Sequence, residues 1–349
     1  MSKATIKEIL AQPEAWKETL KDIGREREWL IKYLREINGH ELIFTGCGTS
    51  YHLALSGASI YSKITNGKAR GVPASDILIF PDMIFTKNGK YLTVPISRSG
   101  TTTETVRVAQ FIKEKLGIET LGISCYGDSK LSGICNRKLI ASAAAEESVV
   151  MTKSFTSMLL VIQMISAIKS GDKDYEKQLQ SLPEEGERII DKYQSIAKEF
   201  GEDDKLNKFI YLGQGPFYGL ASESMLKIKE MSCSNSEAYH CLEFRHGPKS
   251  IADNKALVTM LSSDSGEDYE DALLKDIKEL GARTLVLCDK ATEEKLNSAD
   301  YIVELDSGLS EYARLILYMP ITQLIGYYRA LSKGLDPDSP KNLTQVVEL

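Results

Sequence analysis

The chain repeats itself, and the repeat decides which folds are open to it. ELIFTGCGTS at 41–50 is echoed by KFIYLGQGPF at 208–217, an apolar run, then G-x-G, then a helical pattern, at an offset of 167 residues. YLTVPISRSGTTTET at 91–105 is answered by ALVTMLSSDSGEDYED at 256–271, where the S-x-S-G element recurs 166 residues on. TLGISC at 120–125 corresponds to TLVLCD at 284–289, and KLIAS at 138–142 to YIVEL at 301–305. Short strands of Ile, Leu and Val alternating with helical patterns predict two α/β repeats, each a parallel sheet with helices on both faces and right-handed crossovers. Helices are expected at 51–65, 103–116, 152–169, 174–200, 219–232, 267–280 and 309–332. The charged stretch SGDKDYEKQLQSLPEEGER at 170–188 separates the halves and reads as a helical connection, which sets domains at 1–180 and 181–349.

Composition leaves room for two such cores, since 42% of the 349 residues are hydrophobic. A net charge of -6 offers no broad basic surface, so neither nucleic acid nor a membrane is expected as a partner. The start MSKATIKEILAQPEAW lacks a basic-then-apolar leader, and no apolar run approaches the roughly 20 residues of a membrane span; a cytoplasmic protein is expected. The six cysteines contain no C-x-x-C pair and there are four histidines, so no metal or disulfide framework is expected. Cys47 stands apart because it lies in a glycine-rich turn.

In open α/β sheets ligands bind beyond the carboxyl ends of the strands. Two hydroxylated turns of the first repeat fall there. One is Gly46 to Ser50, where Cys47, Gly48, Thr49 and Ser50 combine close backbone approach with hydroxyl donors. The other holds Ser97, Arg98, Ser99, Gly100, Thr101 and Thr102 at a helix start, where hydroxyls and amides suit a phosphate. A Ser/Thr-rich helix cap is the plain alternative. No G-K-[ST] follows, so this is not a Walker loop. In the second repeat Asp264, Glu267 and Asp268 replace hydroxyls and are expected to repel phosphate, leaving one phosphate site per chain.

Acid and base candidates lie in the second half. GLASESMLKIKEMS places Glu223, Lys227 and Glu230 on one helical face among apolar residues, where such a triplet is either functional or internally paired. His246 precedes Gly-Pro, a turn that fixes its imidazole, and a histidine can exchange protons near neutral pH.

Taken together, GCGTSY, SRSGTT, SVVMTKSFT, ESMLKIKEMSCSNSEAY, EFRHGP and DSPKNLTQVVEL resemble the double-SIS (sugar isomerase) family along nearly the whole chain. They are similar to the isomerase half of glucosamine-6-phosphate synthase and to stand-alone amino-sugar-phosphate deaminases. The resemblance implies two tandem flavodoxin-like SIS domains. It implies phosphosugar binding by Ser50, Ser97, Ser99 and Thr102, with the backbone around Arg98 and from Val149 to Thr152 lining the sugar. Glu230 would shuttle a proton between sugar C1 and C2, with Lys227 and Glu223 as its helix partners. His246 would open the sugar ring, reaching across from the second subunit of a homodimer. Gln345 stands where the family carries a lysine, so Schiff-base chemistry is not expected there; Lys341 lies four positions earlier. The chain starts at Met1 without a nucleophilic N-terminal cysteine, which disfavours a glutamine-dependent synthase. The implied activity is an amino-sugar-phosphate deaminase/isomerase that needs no cofactor and turns glucosamine 6-phosphate into fructose 6-phosphate and ammonia. A galactosamine-6-phosphate deaminase/isomerase, a deglycase of fructose-amine 6-phosphates and a non-catalytic phosphosugar sensor are the alternatives.

Overall fold

A computed structural model describes residues 4–344 of the chain. The first sheet contains β1 Glu41–Gly46, β2 Ala69–Pro73, β3 Tyr91–Pro95, β4 Glu119–Ser124 and β5 Arg137–Ile140, all parallel, in the order β2-β1-β3-β4-β5. The second contains β6 Lys208–Gly213, β7 Asn235–Tyr239, β8 Ala256–Leu261, β9 Arg283–Cys288 and β10 Tyr301–Glu304, and its order β10-β9-β8-β6-β7 is the same topology. The two expected α/β repeats are therefore present, each a five-stranded flavodoxin-like sheet surrounded by helices.

Both faces of each sheet are dry, as parallel sheets require. In β1, Ile43 packs into a cluster with Ile77, Val108 and Ile112 on one face. Its neighbour Phe44 turns to the opposite face by strand alternation and meets the Tyr61 ring at 6.2 Å. In β6, Ile210 and Leu212 join Leu273, Leu274 and Ile277, while Phe209 on the other face lies under the Arg329 guanidinium.

The edge strands β2 and β7 escape a hydrophobic reading because ARGVP and NSEAY are polar and half covered, as strands with one free edge can be. Residues 4–36 form three helices, Ala4–Leu10, Gln12–Arg25 and Arg27–Glu36. Of the stretch expected as a helical connection, 173–188 lies in one 30-residue helix, Lys173–Glu202, with Pro183 inside it, while Ser170 ends the preceding helix. Chain compactness separates two units directly after this proline. One comprises 11–147, 151–183 and Thr344; the other comprises 4–10, 148–150 and 184–343. Within the second unit, Asp338 Oδ1 accepts the Thr5 amide at 2.7 Å and its hydroxyl at 2.6 Å, anchoring the first helix.

One expected helix is corrected. The segment 309–332 is not continuous: 309–313 is irregular, Arg314–Tyr318 is a 3-10 turn, and the α-helix begins at Met319 with Pro320 in its first turn. The helix expected at 103–116 likewise changes pitch, from α over Thr103–Phe111 to π over Ile112–Leu116.

Candidate active site

In the N-terminal unit, β1 and β3 are adjacent while their connections leave in opposite directions, which opens a crevice at their carboxyl ends. Both hydroxylated turns lie there. Gly48 adopts φ 52°, ψ -122° immediately before the helix Thr49–Thr65, a conformation that excludes a Cβ. Gly215 holds the same position before the helix Pro216–Ser232 with φ 56°, ψ -125°, so the repeat extends to individual dihedral angles. Thr49 and Ser50 are buried, and the Ser50 amide closes the turn onto the Cys47 carbonyl at 3.0 Å. Cys47 Sγ lies 3.7 Å from Thr105 Oγ1; burial pushes this thiol up from its ordinary range, which argues against a nucleophilic role.

The second turn is wired from within. Ser97 Oγ accepts the Gly100 amide at 3.0 Å and lies 3.0 Å from Thr102 Oγ1. Ser99 Oγ accepts the Thr101 amide at 3.2 Å and its hydroxyl at 2.9 Å. Ser99 is an acceptor in both of its bonds and retains its O–H to give to an anion, while the single proton shared by Ser97 and Thr102 leaves one of those two hydroxyls able to donate. Gly100, at φ 62°, makes the turn possible.

Arg98 is not on the surface. It pairs with the buried Glu146 at 3.1 Å, and both side chains are at most 5% exposed. Glu146 also accepts the Thr152 amide at 2.6 Å, the Thr152 hydroxyl at 2.9 Å and the Ser154 amide at 3.2 Å. A carboxylate so fully bonded acts as a structural hub that ties the Arg98 turn to Thr152. Nothing in the sequence pattern singled it out, because Glu146 sits in irregular chain between Ala145 and Glu147.

In the C-terminal unit, the helix Pro216–Ser232 follows β6 and is held by Ser224, whose hydroxyl donates to Leu220 and Thr322 at 2.9 and 2.8 Å. On it the charged triplet is internally paired. Lys227, 1% exposed, lies 3.2 Å from Glu223 Oε1 and hydrogen-bonds Glu230 Oε2. Burial works against the ammonium, but the charges of Glu223 and Glu230 outweigh it and hold Lys227 above the ordinary lysine range. Glu223 is fully buried, whereas the Glu230 side chain is 19% exposed. Glu230 Oε1 accepts no hydrogen bond from the described residues. One carboxylate oxygen is thus fixed by a buried cation and the other is open to a ligand.

His246 sits in an exposed turn, its amide bonded to the Glu243 carbonyl at 3.0 Å and followed by Gly247 at φ 121°. Its charged neighbours turn elsewhere: Arg245 and Lys249 both reach Asp276, at 2.8 and 3.6 Å. Among the described residues, no hydrogen bond or ion pair joins His246 to the Glu223–Lys227–Glu230 triplet. His240, passed over in the sequence, stacks on Tyr218 with ring centroids 3.8 Å apart, and burial lowers its pKa. Val149 falls in the segment 148–150, which belongs to the C-terminal unit and is anchored by Ser148 Oγ at 2.5 Å from Glu8. Gln345 lies outside the described residues.

The acidic turn of the second repeat also needs correction. Asp264 is neutralised by the buried Arg314 at 2.9 Å, and Glu267 pairs with Lys295 at 3.3 Å. These two carboxylates therefore do not present an unopposed negative field.

Comparison with known proteins agrees with this architecture. The SIS domain matches residues 37–167 and 205–325, one segment over each sheet. The isomerizing glutamine–fructose-6-phosphate aminotransferase of Sulfurisphaera tokodaii is 30% identical over 346 residues, covering 98% of this chain and 56% of that protein. The chain spans about half the length of the curated relatives it matches. The glucosamine-6-phosphate deaminase structure from Thermotoga maritima superposes with a TM-score of 0.79 at 28% identity, covering 99% of each chain. The C-terminal domain of the glucosamine-fructose-6-phosphate aminotransferase from Francisella tularensis gives 0.81 at 26% identity, covering 96% of this chain and 98% of that one. The chain belongs to the SIS domain family, and it is homologous to the isomerase domain of glucosamine-fructose-6-phosphate aminotransferase.

Proposed function

We propose that the protein is an amino-sugar-phosphate deaminase/isomerase that converts glucosamine 6-phosphate and water into fructose 6-phosphate and ammonia. The observation that carries this reading is Glu230, a carboxylate with one oxygen hydrogen-bonded to the buried Lys227 and the other uncommitted. Such a group can remove a carbon-bound proton and return it to the neighbouring carbon without rotating away. The match to the Thermotoga maritima deaminase over 99% of both chains supports the choice of substrate.

In this reading the hydroxyls of Ser50, Ser97, Ser99 and Thr102 bind the phosphate. His246, contributed by the second subunit of a homodimer, opens the sugar ring. Glu230 takes the C2 proton, the electron pair forms the C1–C2 double bond, and O1 takes a proton from water to become a hydroxyl. Return of the proton to C1 lets the nitrogen lone pair form an imine at C2. Water adds to that imine, the C–N bond breaks, and ammonia leaves. Lys227 keeps Glu230 placed throughout and Glu223 keeps Lys227 charged.

The test is release of ammonia and fructose 6-phosphate from glucosamine 6-phosphate, with galactosamine 6-phosphate and fructoselysine 6-phosphate run in parallel. Turnover of glucosamine 6-phosphate above the other two supports the proposal. Preference for galactosamine 6-phosphate assigns the other epimer, release of lysine from the adduct moves the protein to the deglycases, and no turnover of any leaves a phosphosugar sensor.

A further inference from the structure

The two repeats carry the same anion-binding turn, and the second is filled by the chain itself. Ser97 Oγ accepts the Gly100 amide at 3.0 Å; Ser263 Oγ accepts the Gly266 amide at 3.0 Å. Each turn precedes a helix of nine or more residues with a glutamate in its first turn, Glu104 or Glu270. Each contains one arm of an ion pair to the segment after the last strand, with the polarity exchanged: Arg98 to Glu146, both buried, and Asp264, its side chain 59% exposed, to the buried Arg314. The second helix adds Glu267 and Asp268 to the glutamate in its first turn, and Lys295 offsets Glu267 at 3.3 Å.

Glu270 accepts the Ser263 hydroxyl at 2.8 Å and its amide at 2.9 Å, and the donors that follow in the turn are taken by Glu311. Glu311 Oε2 accepts the amides of Asp264 at 2.9 Å and Ser265 at 3.1 Å, and its Oε1 accepts the Ser265 hydroxyl. Glu311 is 7% exposed. Two successive amides and a serine hydroxyl converging on one anion is the donor set that holds a phosphate oxygen at a strand-to-helix turn. In the first repeat the corresponding donors belong to Arg98 and Ser99. A cavity of about 270 Å³ opens beside the Glu311 carboxylate, lined by Gln214, Pro216, Phe217, Leu242, Tyr269 and Tyr312, with space for the organic part of an ester.

We propose that the turn Ser262–Gly266 is a second phosphate cradle whose ligand place is held by the carboxylate of Glu311, so that a phosphate or phosphomonoester enters only when Glu311 is removed or withdrawn. The inference rests on reading the first turn as a phosphate cradle, and the experiment separates the two. Inorganic phosphate binding is measured by equilibrium dialysis on the full chain, as Glu311→Ala and Glu311→Gln, each with and without Ser97→Ala/Ser99→Ala.

Glu311→Ala should take up one more phosphate per chain than its parent, and in the Ser97→Ala/Ser99→Ala background should bind phosphate at least tenfold more tightly than that parent. Adding Ser265→Ala should cancel the gain. Glu311→Gln, close in shape but neutral, should be displaced more readily than the native carboxylate and show a weaker gain, which decides the matter if the alanine variant does not fold. Equal phosphate uptake by the parent and every folded Glu311 variant overturns the proposal. If Ser97→Ala/Ser99→Ala leaves binding at the first site unchanged while Glu311→Ala still adds a phosphate, the first-turn reading fails and this one stands.

Discussion

Replacing Lys227 by methionine isolates the electrostatics of the candidate base. The substitution keeps an unbranched side chain of similar length and removes the one cation between Glu223 and Glu230. At 3.2 Å and an effective dielectric near 20, the lost attraction to Glu223 alone is about 5 kcal/mol. The fully buried Glu223 then loses the ammonium that lies 3.2 Å away and is driven to take a proton. That protonation limits the cost to 1.36 kcal/mol for each pH unit above a free carboxyl pKa near 4.3, about 3.7 kcal/mol at pH 7 and about 1 kcal/mol at pH 5.

The sign follows from linkage: in the variant the folded-state pKa of Glu223 is raised, so its contribution is intact below the unfolded value and is lost as pH rises through the folded one. Urea unfolding of parent and variant at pH 5, 6 and 7, followed by circular dichroism, should give a difference that grows by about 1.4 kcal/mol per pH unit. Adding Glu223→Gln should abolish most of that slope. A penalty that is the same at all three pH values refutes the reasoning.

Two further perturbations probe the turns. Gly100→Ala places a Cβ at φ 62° only 2.0 Å from Ser129 Oγ, which caps the helix Lys130–Ile134; backbone strain and a displaced cap together cost about 2–3 kcal/mol, partly relieved by Ser129→Gly, as thermal denaturation will show. Alkylation by iodoacetamide at pH 8, mapped by mass spectrometry, should reach the exposed Cys233 first, Cys47 more slowly because burial keeps it protonated, and Cys125, Cys135, Cys241 and Cys288 only on unfolding. Modification of Cys47 ahead of Cys233 contradicts the assigned environments.

The parts of this fold that are legible in the sequence are the parts whose burial demands one residue type. Strands such as LTV in β3 and LVTML in β8 are covered on both faces and must be apolar, so the repeat shows. Strands β2 and β7 lie at edges, where ARGVP and NSEAY are tolerated, and hydrophobicity says nothing of them. The Glu223–Lys227–Glu230 triplet was readable because helical spacing fixes its neighbours. Glu146 and Glu311 were not, since each reaches the turn it serves, at Arg98 or at Asp264, from irregular chain more than 40 residues away in sequence, a distance that no local pattern spans. Asp264 read as an unopposed negative charge for the same reason: the Arg314 that neutralises it comes from such a remote segment.

The central claim is that the free oxygen of Glu230 carries the proton between C1 and C2. Glu230→Gln retains the side-chain shape and a hydrogen-bonding oxygen for Lys227, while removing the base. Its turnover of glucosamine 6-phosphate, measured as ammonia release, is expected to fall about a thousandfold, with the affinity for the phosphosugar, measured by calorimetry, changed by no more than a few-fold. Turnover close to that of the parent, or turnover lost only in proportion to weakened binding, would contradict the account.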